Sequence, residues 1–228
     1  MKRCIPFVII AGVFLIALAT GTSLFILKER GQEREAKRVS SKESPVRLGQ
    51  KPGAEPAHIR GATDAEVKVE EFGDFQCPSC AALSPALNQS EQKYRGKVCV
   101  VFRHFPLADH RHAQAAACAA EAAGLQGRFW EMHDLLYGSQ LIWTRAADTR
   151  EFFDQFAKSI GLNVERFKID VETEKVKARI IADQERATSL GVNRTPAIFI
   201  NGKRLPDSSL NQNALQAAIE KAVNGKAR

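Results

Sequence analysis

A Cys-x-x-Cys that leaves an apolar alternation and enters a helix-forming run restricts this chain more than any other feature. The stretch is Phe72-Gly73-Asp74-Phe75-Gln76-Cys77-Pro78-Ser79-Cys80, with Val67 and Val69 before it and a helix-forming run over residues 81–94 after it. Two cysteines at this spacing, strand before and helix after, mark a redox site. With Cys77 at the helix start, its sulfur faces unpaired backbone N–H groups and the positive end of the helix dipole, which favour thiolate over thiol. Pro78 falls at the first helical position, where its missing N–H costs nothing. Cys80 lies one turn along, so a reversible disulfide can close, with Cys77 the exposed, attacked sulfur and Cys80 the buried resolving one. A structural zinc site would need two further ligands at matching spacing, and the chain offers only the scattered Cys99 and Cys118. A two-residue loop constrains the unfolded chain very little, which argues against a purely structural disulfide.

The 228 residues, 44% of them hydrophobic, suffice for one domain with a core plus attachments. Five cysteines are too few for a disulfide scaffold. Lys2 and Arg3 lie in the short end formed by residues 1–4, and residues 5–27 carry no charge, long enough to cross a bilayer as one helix. Ala17-Leu18-Ala19 resembles a signal-peptide cleavage site, but the apolar run resumes at residues 23–27, which favours an uncleaved anchor. Lys28, Arg30, Arg34, Lys37 and Arg38 follow the run and by charge alone argue for the opposite topology. A dithiol poised as an oxidant is useful only where disulfides persist, so the C-terminal domain is expected outside the cytoplasmic membrane, on its periplasmic or extracytoplasmic side. Residues 28–56 are polar and without periodicity and read as a flexible linker. Its eight Lys and Arg against five Glu are too mixed to indicate nucleic acid or anionic lipid.

From residue 57 the chain reads as one α/β domain. His58-Ile59-Arg60 forms a short edge strand and residues 67–72 a better one, on whose period Glu71 shares a face with Val67 and Val69. A carboxylate facing the core is costly unless it has a task. The continuous apolar run over residues 97–102 reads as a strand buried on both faces. A helical block follows: an alanine-rich stretch over residues 112–123, then residues 129–137, then Asp148-Thr149-Arg150-Glu151 as a capping box with Gly161 as a stop, then a stretch capped by Asn163. Residues 197–200, the hairpin signal Asn201-Gly202 and residues 203–205 return to strand, and a helix over residues 210–223 ends the domain. His110 and His112 are expected to be solvated, and His133 packed beside Trp130.

Cys-x-x-Cys at a helix start, with Thr195-Pro196 before a strand that turns through a tight hairpin, resembles the thioredoxin fold. The long helical block, over about residues 107–191, narrows the resemblance to the DsbA-like thiol:disulfide oxidoreductases. The phrases Phe102-Arg103-His104-Phe105-Pro106-Leu107 and Gln126-Gly127-Arg128-Phe129-Trp130-Glu131-Met132-His133-Asp134 are similar to recurring motifs of that branch. The resemblance covers roughly residues 57–225. It implies Cys77 as nucleophile, Cys80 as its partner, Pro196 as a cis-proline, and Thr195 offering backbone groups to an extended client, with Pro78 and Ser79 in the client-binding set. The family's buried acid six residues before the first cysteine corresponds to Glu71, a proton relay beneath Cys80. Ser79 departs from the strongest oxidants of the family, which carry histidine there, and supplies no positive charge to the Cys77 thiolate.

The function so implied is an oxidoreductase that introduces disulfides into cysteine-containing exported proteins and is re-oxidised by a membrane redox partner, DsbB-like or quinone-linked, without cofactor or metal. A disulfide reductase or isomerase, or a non-catalytic peptide-binding module, are the alternatives. No dimerisation segment is visible, so a monomer is expected. Cys99 and Cys118 leave two readings open: a second, structural disulfide, or two buried unpaired thiols.

Overall fold

The computed structural model describes residues 50–226. The uncharged run at 5–27, Cys4 and the first part of the linker lie outside the described residues. Among the described residues no helix is long and apolar enough to cross a membrane.

Strands β1 (His58–Gly61), β2 (Val67–Gly73), β3 (Val98–His104), β4 (Ala197–Ile200) and β5 (Lys203–Arg204) form one sheet in the order β1-β3-β2-β4-β5. The central pair β2 and β3 is parallel, and every other pairing is antiparallel. A parallel pair needs a crossover, and helix α1 (Pro78–Lys93) supplies it. Every residue of β3 is buried, because helices cover both faces. On one face Val67, Val69, Val98, Val100, Ile198 and Ile200 pack against Leu83 and Leu87 of α1 and against Leu215, Ile219 and Val223 of the last helix, α8 (Gln212–Lys226).

Between β3 and β4 the chain forms α2 (Ala113–Gly124), α3 (Phe129–Gly138), α4 (Gln140–Trp143), α5 (Arg150–Ser159), α6 (Val164–Asp170) and α7 (Glu174–Ser189). The α/β thioredoxin-like fold with a helical block is thus present. Asn163 and Thr173 cap α6 and α7 through their side chains. The capping box expected before α5 is not made: Thr149 forms no side-chain cap bond, and Asp148 instead accepts from the backbone and the guanidinium of Arg150. Asn201 and Gly202 both adopt positive φ, the requirement of a two-residue hairpin.

The linker expected over residues 28–56 does not extend to 56. Residues 51–56 are strapped across α7 by polar contacts. Arg186 donates to the Lys51 carbonyl at 2.8 Å, Arg103 to that of Ala54 at 2.6 Å, and Arg179 to those of Glu55 and Pro56 at 3.0 and 2.9 Å. The Ala54 N–H donates to Asp183 at 2.8 Å. The strap has no hydrophobic period because guanidinium groups, not apolar side chains, hold it down. Beneath it Arg103, buried on β3, bridges Glu70 and Asp183 at 3.1 and 3.0 Å, and Arg186 also reaches Glu70.

Cys99 and Cys118 are free, buried thiols, so the second bridge is absent. Cys118 packs with Val176 and Ile180, on the N-terminal side of the Asp183–Arg103 contact of α7, whereas Cys99 lies four residues back from Arg103 along β3, beside Lys68. Arg103→Ala, which leaves Asp183 without a cation and Glu70 with Arg186 alone, is expected to destabilise the fold by about 3–5 kcal/mol. The expected sign is a lower urea midpoint at unchanged m-value.

Candidate active site

Cys77 is the N-cap of α1, and Pro78 follows at its first position. The cap leaves the N–H groups of the first turn free to face the sulfur. The turn that delivers Cys77 is fixed by Asp74, whose carboxylate accepts from the N–H of Gln76 at 2.7 Å and of Leu107 at 2.9 Å and lies 2.7 Å from His110 Nδ1. Gln140 of α4 reaches back to donate to the carbonyls of Phe75 at 2.8 Å and Cys77 at 3.0 Å. Neither Asp74 nor Gln140 stands out in the sequence as part of the site. Asp74 lies within the quoted Gly-Asp-Phe-Gln-Cys phrase, but α4 is a single turn with no periodic signal.

The Thr195–Pro196 peptide is cis, and the Thr195 carbonyl oxygen lies 3.5 Å from Cys77 Sγ. Pro78 and Ser79 are exposed, while Cys77 is only 6% exposed and Cys80 not at all. The attacked sulfur is therefore more enclosed than the sequence suggests, between the start of α1 and Thr195. Hydrogen bonding from the Cys80 thiol, then from the Thr195 side chain and the N–H groups of Cys80 and Ser79, outweighs burial and brings the Cys77 thiol down to about 5. Burial foremost, then the bond to Cys77 and the charge of Glu71, pushes Cys80 well up. The two sulfurs thus differ as attacking and resolving thiols must. Burial alone pushes up Cys99, and it dominates at Cys118, which leaves both inert at neutral pH.

Glu71 is 1% exposed, on the β2 face that also carries Val67 and Val69, and its Oε1 has no hydrogen-bond partner. Burial, and secondarily the Cys77 charge, raises its pKa to about 8. It is a neutral acid at neutral pH, electrostatically coupled to both cysteines.

His110 is partly exposed rather than free in solvent, and His112 is not solvated. His110 pairs with Asp74, and His112 is buried, with Nε2 3.0 Å from the Ala146 carbonyl. His133 is packed among Phe75, Phe102, Phe129, Trp130 and Tyr137, and burial lowers its pKa to about 4. A buried group that no sequence motif announces joins His58, His104 and Glu121, whose ligand atoms lie within 4.8 Å of one another, close enough for a metal ion. Arg179 stands 2.6 Å from Glu121 Oε2 and 3.2 Å from His58 Nε2, so the carboxylate already has its counter-charge in a guanidinium.

A parallel-centred sheet, a Cys-x-x-Cys at a helix N-terminus and a cis-proline against its first sulfur define a thioredoxin-fold oxidoreductase. Residues 54–221 match the family model described as Thioredoxin, and the chain belongs to that family. Among solved structures it is similar to BdbD from Bacillus subtilis in its oxidised form, with 25% identity and a TM-score of 0.66 over 78% of this chain and 98% of that one. It is also similar to a thioredoxin-like oxidoreductase from Silicibacter pomeroyi DSS-3, with 27% identity and a TM-score of 0.62 over 74% and 92%. Among curated proteins it is 41% identical over 169 residues to the Na(+)/H(+) antiporter NhaA 1 of Salinispora arenicola (strain CNS-205), a match that covers 74% of this chain and 25% of the antiporter. The chain thus spans about a quarter of the length of the curated relatives it matches. In a chain of 228 residues, a 169-residue match placed anywhere takes in residues 60–169, and with them the dithiol.

The shifts at Glu71 and Cys77 act on stability with opposite sign. Between the usual 4.5 and about 8, the folded protein keeps a Glu71 proton that the unfolded chain has lost, so stability falls as pH rises through that window. In the reduced protein Cys77 has lost a proton that the unfolded chain keeps between about 5 and 9.0, so stability rises with pH there. In the disulfide form Cys77 neither titrates nor lends Glu71 its charge, so burial alone raises the carboxyl; against it His133, neutral in the fold down to about 4 and titrating near 6.5 when unfolded, makes stability rise with pH between those values. Glu71→Gln is expected to remove from the pH dependence of oxidised-protein stability a declining contribution that approaches about 1.4 kcal/mol for each step of one in pH within the Glu71 window, read as the difference between wild type and variant. Urea midpoints measured against pH report it, and an unchanged slope would mean that the carboxyl meets water.

Proposed function

We propose that this protein is a thiol:disulfide oxidase that introduces disulfides into cysteine-containing exported proteins. The observation that carries the reading is the contrast between the two thiols, Cys77 near 5 and Cys80 far above its ordinary value. A stabilised Cys77 thiolate favours the reduced protein, and so makes the Cys77–Cys80 disulfide readily surrendered to a client.

In the forward reaction a client thiolate attacks Cys77 Sγ of the disulfide, forming a mixed disulfide and expelling Cys80. Neutral Glu71 gives its proton to the Cys80 sulfur, so that no thiolate is stranded in the apolar site. A second client thiolate then attacks the client sulfur of the mixed disulfide, and Cys77 leaves as the stabilised thiolate. The client has lost two electrons and gained a disulfide; the protein holds those electrons as a dithiol. Thr195 and Pro196, with the exposed Pro78 and Ser79, form the lip against which the client backbone lies.

The dithiol must pass its electrons on, which calls for a membrane redox partner bearing a disulfide or a quinone. We place the domain on the extracytoplasmic side of the cytoplasmic membrane, tethered as a monomer through residues 5–27. The similarity of this domain to a quarter of proteins named as Na(+)/H(+) antiporters supports a membrane setting. A reductase is the second reading, favoured by Ser79, which lends the Cys77 thiolate no positive charge.

Equilibration with glutathione buffers separates the two. A potential between about −270 mV, that of thioredoxin, and about −120 mV, that of DsbA, and nearer the second, is expected for the oxidase. A value at or below that of thioredoxin reverses the electron flow and leaves the residue roles unchanged. Cys80→Ser is expected to accumulate mixed disulfides with clients through Cys77, and Cys77→Ser to form none, as read on non-reducing gels.

A further inference from the structure

Each client oxidised in the cycle proposed above leaves Glu71 a carboxylate with no cation beside it, and Glu71, Cys80 and Cys77 are all buried. A client lying against Thr195 covers what little of Cys77 is exposed. A proton that neutralises this carboxylate before Cys80 is re-oxidised must come by another way.

Buried polar side-chain atoms in folded proteins nearly always find a partner, in protein or in ordered water. Among the described residues several such atoms lack a hydrogen-bond partner in the protein. Three of them, Glu71 Oε1, Tyr137 Oη and His133 Nε2, belong to neighbouring groups in the aromatic core between the dithiol and α3. The Tyr137 hydroxyl reaches the sheet because Gly73 has no side chain: a Cβ there would lie 2.9 Å from Tyr137 Oη. Gly73 is two residues beyond Glu71 on β2, hence on the same face. The Tyr137 hydroxyl accordingly feels Cys80 and Glu71 among the charges nearest to it.

One helical turn back, the His133 ring stands perpendicular to that of Tyr137, with centroids 4.9 Å apart. Its Nδ1 lies 2.9 Å from Asp134 Oδ1, and Asp134 is half exposed at the rim of α3, where Arg60 also meets it at 2.8 Å. His133 thus has one ring nitrogen in the interior and the other at a surface carboxylate. With Nδ1–H donating to Asp134, Nε2 is an acceptor facing inward. The walls around these atoms are the rings of Phe75, Phe102 and Phe129, which offer no hydrogen bond, and of Trp130, whose Nε1–H is taken by the Ile59 carbonyl.

We propose that Glu71, Tyr137 and His133, bridged by internal water, form a proton track from Cys80 to the surface at Asp134, with Tyr137 and His133 as positioning residues for thiol–disulfide exchange. The proposal rests on the role assigned to Glu71 above. On the reprotonating stroke His133 starts as its other neutral tautomer: Nε2–H gives its proton inward while Nδ1 takes one from Asp134 or solvent, and the Tyr137 hydroxyl accepts one proton while releasing its own to the Glu71 carboxylate. Glu71 then holds a proton again and His133 stands as the Nδ1–H tautomer; the proton that leaves Cys80 on re-oxidation runs the track outward, Nε2 accepting while the Nδ1 proton goes to Asp134 or solvent, and restores the ring. Burial keeps Tyr137 protonated and His133 neutral between strokes. The charged and titratable groups facing the track are Cys77 and Cys80 from α1, Asp74 from the turn before it, Arg60 from β1, His104 from β3 and Asp134 from α3.

The test uses the full chain with Tyr137→Phe, which deletes one oxygen, His133→Leu and Glu71→Gln. Reduction of the Cys77–Cys80 disulfide by dithiothreitol is followed by stopped flow against pH, in H2O and in D2O. Tyr137→Phe is expected to slow reduction about tenfold, below the full range for general acid–base catalysis because water retains part of the path. It is also expected to enlarge the solvent isotope effect while leaving the Cys77 thiolate titration, followed by ultraviolet absorbance, in place. His133→Leu should behave alike, and the double variant should be no slower than either single one. Wild-type rates, pH profile and isotope effect in Tyr137→Phe, with Glu71→Gln slow, overturn the track and leave the Glu71 role standing. Wild-type behaviour in Glu71→Gln as well overturns both. If His133→Leu fails to fold, Tyr137→Phe alone decides.

Discussion

A carboxyl group held out of water with no cation beside it is the constraint on which this site turns. Glu70 and Glu71 are adjacent in sequence and both buried, yet the period of the strand sends them to opposite faces of the sheet. Glu70 meets Arg103 and Arg186, and although burial opposes ionisation, the two guanidinium groups hold its pKa below the usual carboxylate value. Glu71 meets two thiols and aromatic rings, and burial prevails. One carboxylate is thus a fixed charge that anchors α7 and the strap over it, and its neighbour is a movable proton. A one-residue slip of β2 in either direction would turn Glu70 to the apolar face as an uncompensated charge, so the same arrangement that builds the site also specifies the register.

The helix N-terminus completes the asymmetry. Cys77 receives N–H groups that the first turn cannot use internally, while Cys80, one turn on, is past them and inside the core. The thiolate is favoured where a client can reach it and disfavoured where it cannot. Because Asp74 and Gln140 pin the turn before α1 from two directions, the sulfur keeps this position without any disulfide elsewhere in the described residues.

What the sequence discloses follows from how local each signal is. The Cys77–Cys80 spacing, the inward face of Glu71, the Asn201-Gly202 hairpin and the alternation of strands with a helical block are set by neighbours in the chain, and periodicity reports them. The strap over residues 51–56 reads as linker because its partners, Arg103, Arg179 and Arg186, lie far away in sequence and bond to its backbone, which carries no residue code. His112 and His110 read as solvated for the same reason: the Ala146 carbonyl and Asp74 that hold them are brought in by the fold. The capping box ahead of α5 is a correct pattern defeated by a competitor, since Asp148 bonds the Arg150 N–H and leaves Thr149 uncommitted. Of the two readings open for Cys99 and Cys118, the structure shows two free buried thiols, because a loop length that permits a bridge does not by itself bring the sulfurs together.

The helical block is more than a cover for the sheet. It contributes Gln140 to the backbone of the active-site turn, Tyr137 to the gap above Gly73, and the ring of His133 to the aromatic packing around Phe75 and Phe102. A sheet and its crossover helix suffice to present a Cys-x-x-Cys, but they leave the resolving thiol and its acid facing whatever packs against that end of the sheet. Here that end is closed by rings, which remove water and so raise the pKa values of both Cys80 and Glu71. Closing the site in this way also cuts its acid off from the solvent protons it must exchange. Polar atoms placed singly along α3, among apolar rings, are what such an enclosure requires if it is to remain a working acid–base site rather than an inert pocket.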